Sequence, residues 1–365
     1  MVCLPKQPAL SLRKFVTCEG QLEKLPSIEM SMENLPFDQR ACFIAGQAKS
    51  GTTLLVALLD SHPELLVMPQ DTAYFATVLT KYGASGRRAQ FDYLTKESWT
   101  NVLFGHRARR GNQDYAGFPK KEFLETFERT AFDPVNAKRD LLVIMMESYA
   151  KVIGVSLDSV KRWVEKTPAN RNYVPEIFAR FPQAKLLVTM RDPRALLAAQ
   201  IALERTRKTR KFSVYYVVAH WRTAARLARK VRDGQIPGLV VGYEDLALYP
   251  SMSMEKVCHY LEIKFDPEIV LNPTKVGRSW GGNSATGLRF SEINAAPVSR
   301  WETELSEDEI GWVEWHCRDL MPEFGYEPRL SRRSLRHFAR PVRGERPREF
   351  LKSRAYSVRD EWLKR

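Results

Sequence analysis

The chain has 365 residues, of which 44% are hydrophobic, 27% charged and 11% aromatic. That balance excludes a disordered or collagen-like chain and fits one large α/β domain or two smaller ones. The formal charge of +14 is unevenly placed: residues 331–365 hold 12 Lys and Arg against 4 Asp and Glu, so +8 of it lies in the last 35 positions.

Residues 1–38 are mixed and interrupted by proline, and read as an N-terminal arm. Residues 41–45 (ACFIA) form an apolar run of the kind that makes a buried parallel strand. The run leads into Gly46-Gln-Ala-Lys-Ser-Gly-Thr-Thr. Leu54, Leu55, Ala57, Leu58 and Leu59 then recur at helical spacing until Pro63 stops the helix. Residues 65–68 are a second short strand, and 72–160 read as mainly helical, with loops near 83–88 and 107–113. Residues 185–190 (KLLVTM) are a third strand, followed by Arg191-Asp-Pro-Arg and a helical run over 195–204. Residues 239–241 are a fourth strand, ahead of Gly242-Tyr-Glu-Asp. Strands separated by helices predict an α/β fold: a P-loop-like doubly wound parallel sheet flanked by helices, with a mainly helical insert. The expected organisation is an arm (1–38), a main domain (39–330) whose insert at 72–160 lies on the acceptor side, and a basic tail (331–365). Ligands of such sheets bind at the carboxyl ends of the strands, where both the glycine loop and Arg191 fall.

Residues 46–53 have the composition of a phosphate loop: glycines let backbone N–H groups converge on an anion, and the helix behind adds its positive end. A nucleoside triphosphate loop needs Lys directly after its second glycine. Here Thr52 stands after Gly51, and the lysine comes earlier, at Lys49. That shift suits a shorter anion at the loop mouth rather than the β and γ phosphates beside magnesium.

Lys-Ser-Gly-Thr-Thr-Leu-Leu followed by Leu-Leu-Asp-Ser-His-Pro-Glu resembles the 5′-phosphosulfate loop of the sulfotransferase superfamily, in particular its bacterial branch related to tyrosylprotein sulfotransferases. The resemblance runs from about residue 42 to 328. It implies that Lys49, Ser50, Gly51, Thr52 and Thr53 hold the 5′-phosphosulfate of 3′-phosphoadenosine 5′-phosphosulfate (PAPS). In Pro69-Gln-Asp-Thr, Asp71 takes the place where relatives carry an acidic general base, more often Glu; as a residue type it also suits a helix N-cap. In Glu165-Lys-Thr-Pro, the resemblance puts Lys166 on the sulfuryl oxygens. In Met190-Arg-Asp-Pro-Arg, it puts Arg191 on the 3′-phosphate, which the arginine fork suits. Ala199 stands where the family has a serine, so one hydroxyl contact is missing and weaker PAPS binding is expected. Tyr243, Ser284 and Arg300 are further nucleotide contacts by resemblance. Tyr243 and Trp301 also read as core aromatics.

The expected chemistry is in-line sulfuryl transfer to a hydroxyl acceptor (carbohydrate, peptide tyrosine, lipid or small molecule), with PAPS as co-substrate and no metal. Two alternatives stay open. One is a P-loop kinase, against which Thr52 counts. The other is an inactive binder of anionic polymers, which the basic tail and Ala199 favour. The five cysteines are odd in number and lack CxxC spacing, which predicts reduced thiols and a cytoplasmic setting. No signal peptide and no apolar stretch long enough for a membrane span is read from the sequence, and the tail offers possible contact with an anionic surface.

Overall fold

The computed structural model describes residues 35–97, 118–207, 214–282 and 293–331. Five parallel strands form one sheet in the order β2-β3-β1-β4-β5: β1 is Ala41–Gly46, β2 Leu65–Val67, β3 Arg162–Lys166, β4 Lys185–Met190 and β5 Leu239–Gly242. The main helices are α1 (Thr52–Leu59), α2 (Lys120–Ala131), α3 (Leu141–Ile153), α4 (Pro193–Arg207), α5 (Val214–Arg232), α6 (Tyr243–Leu248), α7 (Pro250–Leu261) and α8 (Glu307–Cys317). Described elements between residues 72 and 160 are all helical.

Every residue of β1 is buried, because the strand is central and covered on both faces. Its side chains alternate. Ala41, Phe43 and Ala45 face a core built with α2, α3, α5 and α8. Cys42 and Ile44 face the other core, built with α1 and α7. Phe43 anchors an aromatic cluster, with ring centroids 5.6 Å from Phe75, 5.6 Å from Trp163 and 5.5 Å from Phe181. The Trp163 indole N–H is satisfied by the Phe37 carbonyl at 2.8 Å.

β3 is a strand that the apolar runs do not reveal. Its sequence is Arg-Trp-Val-Glu-Lys, with charge at three of five positions, yet all five residues are buried. Burial is tolerated because each charge has a partner. Arg162 donates to the Glu262 carboxylate at 3.0 Å, Lys166 pairs with Asp71, and Glu165 is ringed by donors. A polar strand of this kind looks like a loop in sequence.

The chain runs from β1 through α1 to β2 at the sheet edge, and β3 then returns to lie beside β1. The next connection passes over β1 to β4. The direction of winding therefore changes next to β1. The carboxyl ends of β1, β3 and β4 meet at that crevice, where α/β sheets bind ligands.

Candidate active site

The loop between β1 and α1 turns through left-handed backbone at Lys49 (φ 75°) and Gly51 (φ 95°). Gly51 has a second constraint, since a Cβ there would come within 2.7 Å of the Tyr243 ring. Ser50 is buried. Its hydroxyl donates to the Gln47 carbonyl at 2.6 Å and lies 2.6 Å from the Thr189 hydroxyl, while its N–H also reaches the Gln47 carbonyl at 3.1 Å. This side chain therefore pins the loop to β4 from below. Thr52 and Thr53 open α1, and the positive end of that helix lies at the loop mouth.

Lys166, the last residue of β3, brings three predicted site residues together. Its ammonium donates to the Asp71 carboxylate and lies 3.5 Å from the Thr53 hydroxyl. The lysine side chain is 6% exposed and that of Asp71 45%, so the carboxylate sits at the open side of the pair. Asp71 caps no helix: the next one begins at Tyr74, and Ala73 occupies its N-cap position. The Asp71 side chain is instead paired with Lys166.

Arg191 follows β4 and reaches back to the loop. Its guanidinium donates to the Lys49 carbonyl at 2.9 Å and the Pro297 carbonyl at 2.7 Å, and lies 4.0 Å over the Tyr243 ring. Its Nε is buried with no hydrogen-bond partner. Tyr243 is wedged between Gly51 and Arg191, so it holds the loop and the arginine in place; burial raises its phenol pKa, against the pull of Arg191. Arg300 lies near enough to lower the same phenol's pKa and pairs with Glu304 at 2.7 Å. The second arginine of the segment, Arg194, is structural: it pairs with Asp192 at 2.7 Å and Glu314 at 2.6 Å and stacks 4.0 Å over Trp301. Trp301 is accordingly a buried core aromatic. Ala199 is buried on α4. Ser284 lies outside the described residues.

Several residues of the site have no role assigned in the sequence reading. Glu165 is fully buried and accepts from the Thr72, Thr167 and Asn170 side chains, each at 2.7 Å. Burial raises its carboxyl pKa, and the same hydrogen bonds oppose the rise. Arg171 donates to the Gly46 carbonyl at 2.9 Å and to His220 Nδ1, which bridges the loop to α5. Burial first, and then Arg171, lower the His220 pKa to about 4, so the ring is neutral at pH 7. Glu165 and Arg171 flank the Lys-Thr-Pro segment, and that proximity was the available signal. His220 had none. Among the described residues no group of three or more His, Cys, Asp or Glu is gathered as a metal site requires, and no helix is long and apolar enough to cross a membrane.

A sulfotransferase family model matches residues 42–267, which contain the loop, Asp71, Lys166, Arg191 and Tyr243. The chain is 21% identical to chicken protein-tyrosine sulfotransferase 2, over 88% of this chain and 79% of that protein. It is 23% identical to nodulation protein NoeE of Sinorhizobium fredii, over 80% of this chain and 67% of that protein. Among solved structures, the sulfotransferase domain of the Synechococcus olefin synthase aligns at a TM-score of 0.49 and 19% identity, covering 79% of this chain and 94% of that one. The matched region covers well over half of the sequence and carries the loop, Asp71, Lys166 and Arg191, so the chain belongs to the sulfotransferase family and is an enzyme of sulfuryl transfer.

Proposed function

We propose that this enzyme transfers the sulfuryl group of PAPS to a hydroxyl acceptor, with the nucleotide across the crevice between the loop and Arg191. The observation that carries the reading is the meeting of Lys166, Asp71 and Thr53 at the first turn of α1. A cation, a carboxylate and a loop hydroxyl within contact of one another are the parts that sulfuryl transfer needs. The unpartnered, buried Nε of Arg191, whose guanidinium also reaches the Lys49 carbonyl, supports a phosphate bound beside the loop.

PAPS supplies an activated sulfuryl group whose bond to the 5′-phosphate breaks as the acceptor oxygen attacks. Asp71 takes the acceptor's proton, as its exposed position at the mouth allows. Lys166 offsets negative charge on the sulfuryl oxygens. Lys49, Thr52, Thr53 and the N-terminus of α1 stabilise the charge left on the departing 5′-phosphate. Ser50 and Tyr243 act behind them, keeping the loop in its left-handed turns. Arg300, close enough to act on the Tyr243 phenol, serves the nucleotide side.

The acceptor hydroxyl belongs to a tyrosine side chain or a sugar. The tyrosine is supported by the relative named for protein-tyrosine sulfotransfer, and the sugar stays from the hydroxyl acceptors that the sequence left open. In this reading residues 39–330 form the catalytic domain, the helices at 72–160 face the acceptor, and the basic 331–365 segment meets anionic surfaces. The buried free thiols Cys42, Cys258 and Cys317 are consistent with a reducing, cytoplasmic setting. Titration calorimetry with adenosine 3′,5′-bisphosphate, followed by label transfer from PAPS to pooled tyrosyl peptides and oligosaccharides, tests the proposal. One nucleotide site per chain and sulfated product are expected. Normal turnover by Lys49→Ala, or no nucleotide heat in the native enzyme, would count against it.

A further inference from the structure

Glu165 is a carboxylate in the least favourable place for one, fully buried at the end of a central-sheet strand. Isolated burial of that charge is costly, so its surroundings must hold it for a purpose or neutralise it. Four donors converge on it. Oε1 accepts the Thr72 N–H at 3.2 Å and the hydroxyls of Thr72 and Thr167 at 2.7 Å each, and Oε2 accepts the Asn170 amide at 2.7 Å.

The direction of these bonds is informative. Both hydroxyl protons point at Glu165, which turns the hydroxyl lone pairs outward. The Thr167 oxygen then accepts the Ala73 N–H at 3.0 Å, and the Thr72 oxygen accepts the Tyr74 N–H at 3.1 Å. Three consecutive backbone amides, at 72, 73 and 74, thus depend directly or through one hydroxyl on a single carboxylate. Ala73 lies within this run at φ 53°, a left-handed conformation that a non-glycine residue keeps only under such restraint. Asp71 is the next residue outward, and its partner Lys166 is the next residue after Glu165. Two adjacent pairs, 165 with 72 and 166 with 71, therefore register the end of β3 against the loop after β2.

We infer that Glu165 is a positioning residue for sulfuryl transfer: it fixes the 71–74 backbone so that the Asp71 carboxylate is held at the reacting hydroxyl. This rests on the proposed role of Asp71 as base. Glu165 itself touches neither substrate, because its side chain is fully buried behind the 71–74 backbone. The conservative replacement has a specific outcome. In Glu165→Gln, Oε1 still accepts both hydroxyls, while the new Nε2 faces the Asn170 amide nitrogen. Asn170 Oδ1 is buried with no partner, so a flip of the Asn170 amide turns that clash into a hydrogen bond.

The experiment compares full-length wild type, E165A, E165Q, D71N and E165A/D71N, first by binding of adenosine 3′,5′-bisphosphate. A wild type that binds no nucleotide overturns the functional reading, and this inference with it. Given binding, hydrogen exchange needs no acceptor. In E165A the amides of 72, 73 and 74 should lose protection, while those of α1 and the nucleotide affinity stay within about 2-fold. Loss of protection throughout, or none at 72–74, overturns the inference alone. With labelled PAPS and the pooled acceptors, E165A should lower kcat by about 100-fold at unchanged KM for PAPS, the scale of general-base catalysis. E165Q should recover most of that loss. In the D71N background E165A should cost less than about 2-fold more, because the group it positions is gone. Additive losses would show that Glu165 does not act through Asp71 and would also overturn the inference.

Discussion

The fold brings Lys166 and Asp71 together from residues 95 positions apart, and the proposed mechanism places its chemistry on this pair. Removing a donor aimed at developing charge costs about 2.7–4 kcal/mol, so Lys166→Ala should lower kcat by roughly 10²–10³. Asp71→Asn should lower it by roughly 10²–10⁴, the usual share of a general base. Single-turnover label transfer from PAPS reads both, and a decrease under 10-fold in either would remove that residue from the scheme. Gly51 makes a different case. Its φ of 95° and the 2.7 Å gap from a Cβ to Tyr243 are separate obstacles to a side chain. Gly51→Ala should therefore weaken adenosine bisphosphate binding at least 10-fold, and Gly51→Ala/Tyr243→Ala should recover only part, because the backbone strain of about 1–3 kcal/mol persists. Full recovery by calorimetry would mean that the ring clash was the whole obstacle.

At the level of elements, β3 is the strand on which the site depends. Its two ends carry charge, and its second residue, Trp163, packs edge-on against Phe43 and Phe181 at 5.6 and 5.4 Å. Truncating a buried aromatic of this size costs about 3–5 kcal/mol, so Trp163→Ala should lower the urea midpoint accordingly. A shift worth under 1 kcal/mol would mean that the cluster relaxes to fill the space. The end of α1 has a similar anchoring part. Asp60 accepts from the Thr274 hydroxyl at 3.0 Å and the Gly277 N–H at 2.9 Å, and the Ser61 hydroxyl lies 2.7 Å from that of Thr274. His62 reaches the Lys264 carbonyl at 2.7 Å. The Asp-Ser-His segment after the phosphate-loop helix thereby holds the hairpin of Thr274–Lys275 and Arg278–Ser279, a contact that no sequence pattern announced.

Across the whole molecule, the Arg171–His220 contact links the phosphate loop, the segment after β3 and α5. The His220 pKa is about 4 in the folded chain against 6.5 for an unperturbed histidine. Between those values the unfolded chain binds the extra proton, so stability should fall as pH drops from about 6.5 towards 4 and be regained as pH rises back through that window. Carboxylates also titrate towards the acid end of that window, so the comparison is with His220→Gln. The variant should show a flatter dependence of Tm on pH between about 4.5 and 6.5. Identical slopes would show that His220 does not couple these elements to proton uptake.

The sequence by itself determined the parallel α/β plan, the phosphate loop and the order of the Lys49, Asp71, Lys166 and Arg191 segments. Those signals are local: an apolar run buries itself, glycines allow positive φ, and a strand feeds a helix. The structure alone revealed β3, which no apolar run announced and whose charges are explained once Glu262, Asp71 and the threonines around Glu165 are seen beside them. It alone turned Ser50 inward, made Tyr243 a wedge and Arg194 a core ion pair, and gathered Glu165, Asn170 and His220 around the site. Such roles depend on which distant partner meets each polar group, and only the folded chain fixes that, because a buried charge is tolerated where its partners are and nowhere else.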